Sequence, residues 1–146
     1  MELLCKGEII KHIYGLGGVS SEMKLVPNQS RICVGLIDND KAQNSDYFRD
    51  NFDVEKSGNG VIYKVHKKVK HHLIYLSKDM ESWVLNKANE IGVSVEKYGF
   101  PNDANLLKKR YTQKESIMNN PKFKEFLNAI KQKGGFVELE GILEGL

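Results

Sequence analysis

A short apolar run that stops at carboxylates constrains this chain more than any other stretch. Residues 31–37 read RICVGLI, and Asp38-Asn39-Asp40 follows. A run of that length, rich in Ile, Val and Leu, is the pattern of a strand buried on both faces, as in a parallel sheet. In open α/β sheets, ligands bind just outside the carboxyl ends of such strands. Asp38 and Asp40 stand at that kind of end. Two carboxylates one residue apart repel each other unless a proton or a cation offsets their charge. Oxygen-only ligands, with Asn39 between them, suit Mg²⁺ or Mn²⁺. The plainer reading of the same residues is an Asx-rich turn or a helix cap.

Strand-like patterns fill the first half of the chain. Residues 8–14 (EIIKHIY) carry three isoleucines and a tyrosine and read as a strand. Gly15, Gly17 and Gly18 follow at once as a turn, without the spacing of a Walker or dinucleotide motif. Ser20 or Ser21 is placed to cap a short helix through Leu25, which Pro27 ends. Residues 38–50 form a polar loop or short helix anchored by Tyr47 and Phe48. Residues 56–59 (KSGN) read as a turn. Val61, Tyr63 and Val65 then alternate with Ile62, Lys64 and His66, which predicts a half-exposed strand over 61–69, near a sheet edge. Residues 71–76 (HHLIYL) read as a central strand.

After Ser77 the period changes to that of a helix. Met80, Trp83, Val84, Ala88 and Ile91 fall on one face, and Gly92 stops the helix. Ser94 can cap a short turn through Tyr98, and Asp103 can cap a helix through Tyr111. Asn120 followed by Pro121 starts another helix. Its Phe123, Phe126, Leu127 and Ile130 share a face, and Gly134 and Gly135 end it. Phe136, Leu139, Ile142, Leu143 and Leu146 form a last amphipathic helix. No linker, repeat or low-complexity segment divides the 146 residues, so a single domain is expected over 1–146.

Composition excludes several classes. With 40% hydrophobic and 28% charged residues, the chain reads as globular rather than disordered. The net charge of +3 is too small to imply nucleic-acid binding by itself. Cys5 and Cys33 form no CxxC or zinc spacing. No apolar stretch approaches a membrane span, so no membrane partner is expected. The N-terminus lacks a signal-peptide pattern, and the default setting is cytoplasmic.

One basic stretch stands out. Residues 64–72 (KVHKKVKHH) hold four lysines and three histidines. On an alternating strand Lys64, His66, Lys68 and Lys70 share one face, which would attract nucleic-acid phosphates. The plainer reading is an edge strand protected by lysines against unwanted pairing. Asp79 and Glu81 open the Trp83 helix. They read either as additions to an acidic cluster or as the acids that a helix N-terminus favours.

The strand ending in Asp38-Asn39-Asp40, the upstream strand ending in Gly15–Gly18 with its short helix, and the downstream strand 71–76 resemble the toprim (topoisomerase–primase) fold. They also resemble the toprim nucleases of the overcoming-lysogenization-defect class. The resemblance covers residues 8–91. It implies an α/β domain with a mostly parallel central sheet and flanking helices, to which the helical pattern over 93–146 adds a C-terminal extension. It further implies Mg²⁺ (or Mn²⁺) on an acidic cluster that supports phosphodiester cleavage or transfer. Carried over, Asp38 and Asp40 are the metal ligands. The family's other signature is a Glu closing a first strand. If residues 1–5 form that strand, Glu8 supplies the third catalytic carboxylate. If residues 8–14 are the family's second strand, the first strand and its Glu are missing.

Two functions follow. One is a toprim-like, Mg²⁺-dependent, nuclease-like protein that acts on nucleic-acid phosphates. The other is a non-catalytic α/β module that binds a protein partner, or a second copy, along a sheet edge. A response-regulator phosphoacceptor is disfavoured, because its acidic pair follows the first strand.

Overall fold

A computed structural model of the chain describes residues 16–25, 32–39, 45–111 and 117–146. The elements run α1 (Leu16–Leu25), β1 (Cys33–Asp38), α2 (Asp46–Asn51), β2 (Phe52–Gly58), β3 (Val61–His66), β4 (His71–Leu76), α3 (Met80–Glu90), α4 (Ala104–Tyr111), α5 (Pro121–Gln132) and α6 (Val137–Glu144). Short 3₁₀ turns lie at Val95–Tyr98 and Ile117–Asn119. The chain divides into two compact units, one of residues 1–79 with Ile142–Leu146 and the other of Met80–Gly141. The expected strand over 8–14, with Glu8 and Gly15, lies outside the described residues, as does Asp40.

The first unit is built on a four-stranded sheet in the order β1-β4-β3-β2. Among the described residues only β1 and β4 run parallel, while β4–β3 and β3–β2 are antiparallel. The sheet is therefore mixed, not mostly parallel as the family resemblance implied. Connection length gives the physical reason. A parallel pair needs a crossover of about a dozen residues or more. Two residues join β2 to β3 and the bend 67–70 joins β3 to β4, so this stretch can only be a meander. The chain leaving β1 is long enough for parallel pairing, and β1–β4 is the parallel pair it forms.

The β2–β3 turn is Asn59-Gly60, with φ values of 51° and 77°. Positive φ at both central residues is the type I′ hairpin geometry that matches strand twist. Strand β2 therefore runs to Gly58, beyond the start of the turn expected at Lys56. A register shift between Val54 and Lys56 leaves Glu55 as a bulge on this exposed edge strand. Strand β3 stops at His66, short of the expected Val69, because the bend 67–70 begins there.

One face of the sheet carries the core of this unit. Ile37, Phe52, Leu73 and Tyr75 are buried there with Met23 of α1 and Phe48 of α2. Phe48 and Leu73 are fully buried. The Ser45 hydroxyl caps α2 by accepting from the Phe48 N–H. Tyr47 and Phe48 thus anchor this segment as expected. Helix α1 begins at Leu16, so Ser20 and Ser21 lie inside it rather than at its cap.

The second unit is helical. Helix α3 ends in a Schellman motif: Gly92 takes φ 72° and the Val93 N–H donates to Ala88 O at 2.8 Å. Asp103 caps α4 through the Leu106 N–H at 2.9 Å. Ser94, expected to cap the turn after α3, makes no side-chain cap bond. Asn120 caps α5 through the N–H groups of Lys122 and Phe123, with Pro121 at the first helical position. Phe123, Phe126, Leu127 and Ile130 are buried on one face of α5, as their spacing requires. Within this unit Trp83 stacks on Phe136 at 5.4 Å, and Phe100 meets Phe123 edge to face.

Candidate functional site

Asp38 closes β1 and lies in register with Leu76, the last residue of β4. The parallel pair thus presents its two carboxyl ends side by side. Within β1, Gly35 and Ile37 are buried on the core face, while Leu36 and Asp38 alternate onto the other face and stay half-exposed. Gly35 is glycine for lack of room: a Cβ there would sit 2.9 Å from Leu73 Cδ2 and 3.1 Å from Met23 Sδ. That close approach seats α1 and β4 against β1.

The chain leaving β4 turns sharply at the same edge. The Ser77 N–H donates to Gly60 O at 2.7 Å, tying this exit to the hairpin turn. Lys78 then takes φ 58°, a left-handed conformation that non-glycine residues adopt at a cost. Asp79 follows, half-buried, before α3 begins. Asp79 is therefore a second carboxylate on the exit from the neighbouring strand. Glu81 sits in the first turn of α3, where the N–H groups of that turn favour an acid.

Among the described residues no group of three or more His, Cys, Asp or Glu side chains is placed to hold a metal ion. Asp40 and Glu8, the other two carboxylates of the expected cluster, lie outside those residues.

The expected basic face is split. Lys64 and His66 belong to β3, but Lys68 and Lys70 lie in the bend 67–70 and do not continue the alternation. Lys64 pairs in register with Leu73 on the core face, and its Nζ lies 5.0 Å from the centre of the Tyr75 ring. Asp38 sits on the other face. It also sits at the other end: the bend precedes the amino end of β4, whereas Asp38 marks the carboxyl ends. At about 3.3 Å per strand residue the two ends are roughly 17 Å apart. The structure thus does not bring Lys64, His66, Lys68 and Lys70 to Asp38.

His66 has a local role instead. Its Nδ1 accepts from the N–H groups of Lys68 at 3.0 Å and Val69 at 3.3 Å. Burial pushes its pKa down, as do the charges of Lys68 and Lys67. His71 is buried, and burial followed by His66 and His72 lowers its pKa too. On the opposite face the Tyr63 hydroxyl and His72 Nδ1 are hydrogen-bonded at 2.8 Å, with their rings stacked. Burial raises the Cys33 thiol and pushes the Tyr75 phenol up to about 12, so neither is an activated nucleophile at neutral pH.

Sequence reasoning missed the part that Lys78 and the hairpin turn play in shaping the carboxyl edge. The Asn59-Gly60 dipeptide was the available signal for the hairpin. Nothing local marks Lys78 as left-handed. Comparison with protein-family models, curated proteins and solved structures finds no match to this chain.

Proposed function

We propose that this chain is a toprim-like metal-binding domain that processes a phosphodiester of nucleic acid at the carboxyl edge of β1 and β4. Asp38 and Asp40 would hold Mg²⁺ or Mn²⁺, and Glu8 would supply the third carboxylate. The observation that carries this reading is the parallel register of Asp38 with Leu76. It sets the β1 carboxylate beside the exit of a neighbouring parallel strand, the position at which α/β sheets hold their ligands. Asp79 on that exit adds an oxygen donor from a second strand. A cation there would offset the repulsion between the carboxylates and act as a Lewis acid on a phosphoryl oxygen. Lys68 and Lys70 stand at the far end of the sheet, so they would touch only a substrate long enough to reach them.

A second reading is a non-catalytic module that pairs a partner strand along β1. It is favoured by one observation: among the described residues β1 has a single neighbouring strand, β4.

Calorimetric titration of the whole chain with MnCl₂ separates the two. The metal reading expects saturable heat in the wild type that is lost in Asp38→Ala/Asp40→Ala, with the circular dichroism spectrum unchanged. No heat from the wild type at millimolar Mn²⁺ would overturn it and leave the partner-binding reading.

A further inference from the structure

The bend 67–70 is a junction. The Lys67 N–H donates to Asn51 O at 3.0 Å, and Lys67 Nζ donates to Asp50 O at 2.9 Å. Val69 O accepts from the His71 N–H at 2.8 Å, and Lys70 O accepts from the Cys33 N–H at 3.1 Å. The bend thereby ties the end of α2 to the amino ends of β4 and β1. What holds its middle is a side chain: His66 Nδ1, which accepts from both Lys68 and Val69. A nitrogen that accepts must be unprotonated, so neutral His66 carries its proton on Nε2.

We propose that His66 is a proton-operated latch on the bend 67–70, closed when its imidazole is neutral and opened when Nδ1 takes a proton. The proton would occupy the position at which two backbone N–H groups already point. Both donors would lose their acceptor and face a third donor.

Burial and the nearest cations work in the same direction. From the bend, Lys67 and Lys68 set positive charge near the ring. From β4, the His71 ring meets it edge-on at 5.9 Å. From β2 and α2 come the rings of Phe52 at 4.9 Å and Tyr47 at 6.1 Å. The nearby Asp53 carboxylate lies 3.8 Å from Lys67 Nζ. His71 is itself buried, with no hydrogen-bond partner for either ring nitrogen among the described residues. An imidazolium at His66 would thus have cations and a second imidazole for neighbours. The closed state is complete above the ordinary histidine pKa of about 6.5 and is lost as the pH falls below it.

The latch is read by amide hydrogen exchange on the whole chain between about pH 7.5 and pH 5. After correction for intrinsic exchange, the Lys68 and Val69 amides of the wild type should lose protection at least about tenfold, while those of Phe126 and Ile130 in α5 stay constant. His66→Asn offers an amide oxygen that accepts but does not titrate, and its protection at Lys68 and Val69 should be flat with pH. In the wild type the His66 ¹⁵Nδ1 shift should move with the same midpoint as the loss of protection, a readout that needs no variant. Constant protection in the wild type, an unchanged pH dependence in His66→Asn, or a dependence abolished by His71→Leu but kept in His66→Asn would each overturn the proposal.

Discussion

Gly35 and Leu73 face each other across the parallel pair β1–β4, and no methyl group fits between them. A Cβ at position 35 would press on Leu73 Cδ2 and Met23 Sδ at once. Leu73 is fully buried and Met23 nearly so, so neither can move aside into solvent. Gly35→Ala should therefore destabilise the chain by about 1–3 kcal/mol. Urea unfolding should show the midpoint falling with an unchanged slope, and Leu73→Val in the same chain should return part of the loss.

The hairpin turn offers a test of backbone conformation alone. Asn59 and Gly60 both hold positive φ. Gly60→Ala forces a Cβ into the left-handed region and should cost about 1–2 kcal/mol. Asn59→Gly keeps the turn geometry and should change stability by less than about 0.5 kcal/mol. Thermal unfolding of the two variants side by side distinguishes them.

Lys78 holds the same kind of conformation outside any turn made by glycine. Relieving it with Lys78→Gly should stabilise the fold by up to about 1 kcal/mol, less the extra chain entropy that glycine brings to the unfolded state. Lys78→Ile should destabilise it, because a β-branched side chain tolerates positive φ worst. If the carboxyl edge binds Mn²⁺, Lys78→Gly should also alter that binding, since the same residue shapes the exit towards Asp79. Denaturation and calorimetry on one preparation read both effects.

Helix α2 separates the contribution of packing from that of surface charge. Phe48 is fully buried among Tyr47 and Phe52. Phe48→Ala should cost about 3–5 kcal/mol. Asp46, three residues before Arg49 and bonded to it at 2.8 Å, is largely exposed. Asp46→Ala should change stability by less than about 1 kcal/mol, and less still in high salt.

Global stability should also depend on pH in one direction. His66 and His71 both have pKa values lowered by burial first, so the unfolded chain binds protons that the folded chain refuses. Their contribution is present in full above about pH 6.5 and is lost as the pH falls from there towards the lowered values. The unfolding free energy should fall over that interval. His66→Asn/His71→Leu should flatten the profile, as followed by urea midpoints at several pH values.

The helical half was legible because caps and periodicity agreed there. Asn120-Pro121 and Asp103 start their helices where composition places them, and Phe123, Phe126, Leu127 and Ile130 lie buried on one face. The run 33–38 was legible as a strand ending at Asp38, but not as one buried on both faces: Gly35 and Ile37 are buried, while Val34 is exposed and Leu36 half-exposed on the other face. Strand direction was not, because a period of two is the same for parallel and antiparallel pairs. The brevity of the 67–70 connection and the Asn59-Gly60 turn carried that information. The extra length assigned to β3 came from Lys67, Lys68, Val69 and Lys70, whose pattern resembles a strand edge while the N–H groups of the first three turn towards Asn51 and His66. Helix α1 was misplaced because Gly17 and Gly18, poor helix formers, stand in its first turn. Of the candidate site, the sequence located Asp38 but not the bent exit of β4 beside it.

The mixed sheet also dictates an order of assembly. Strands β2, β3 and β4 follow one another through short connections, so their pairings close small loops and can form early. Strand β1 must find β4 across the whole intervening length of α2 and the meander. The strand that carries the carboxylate is the one that local chain connectivity cannot place. A half-assembled sheet would hold the meander with an open slot along β4. Asp38 comes beside Leu76 only when that slot is filled, so the carboxyl edge of β1 and β4 is complete only once the longest-range pairing of the sheet has formed.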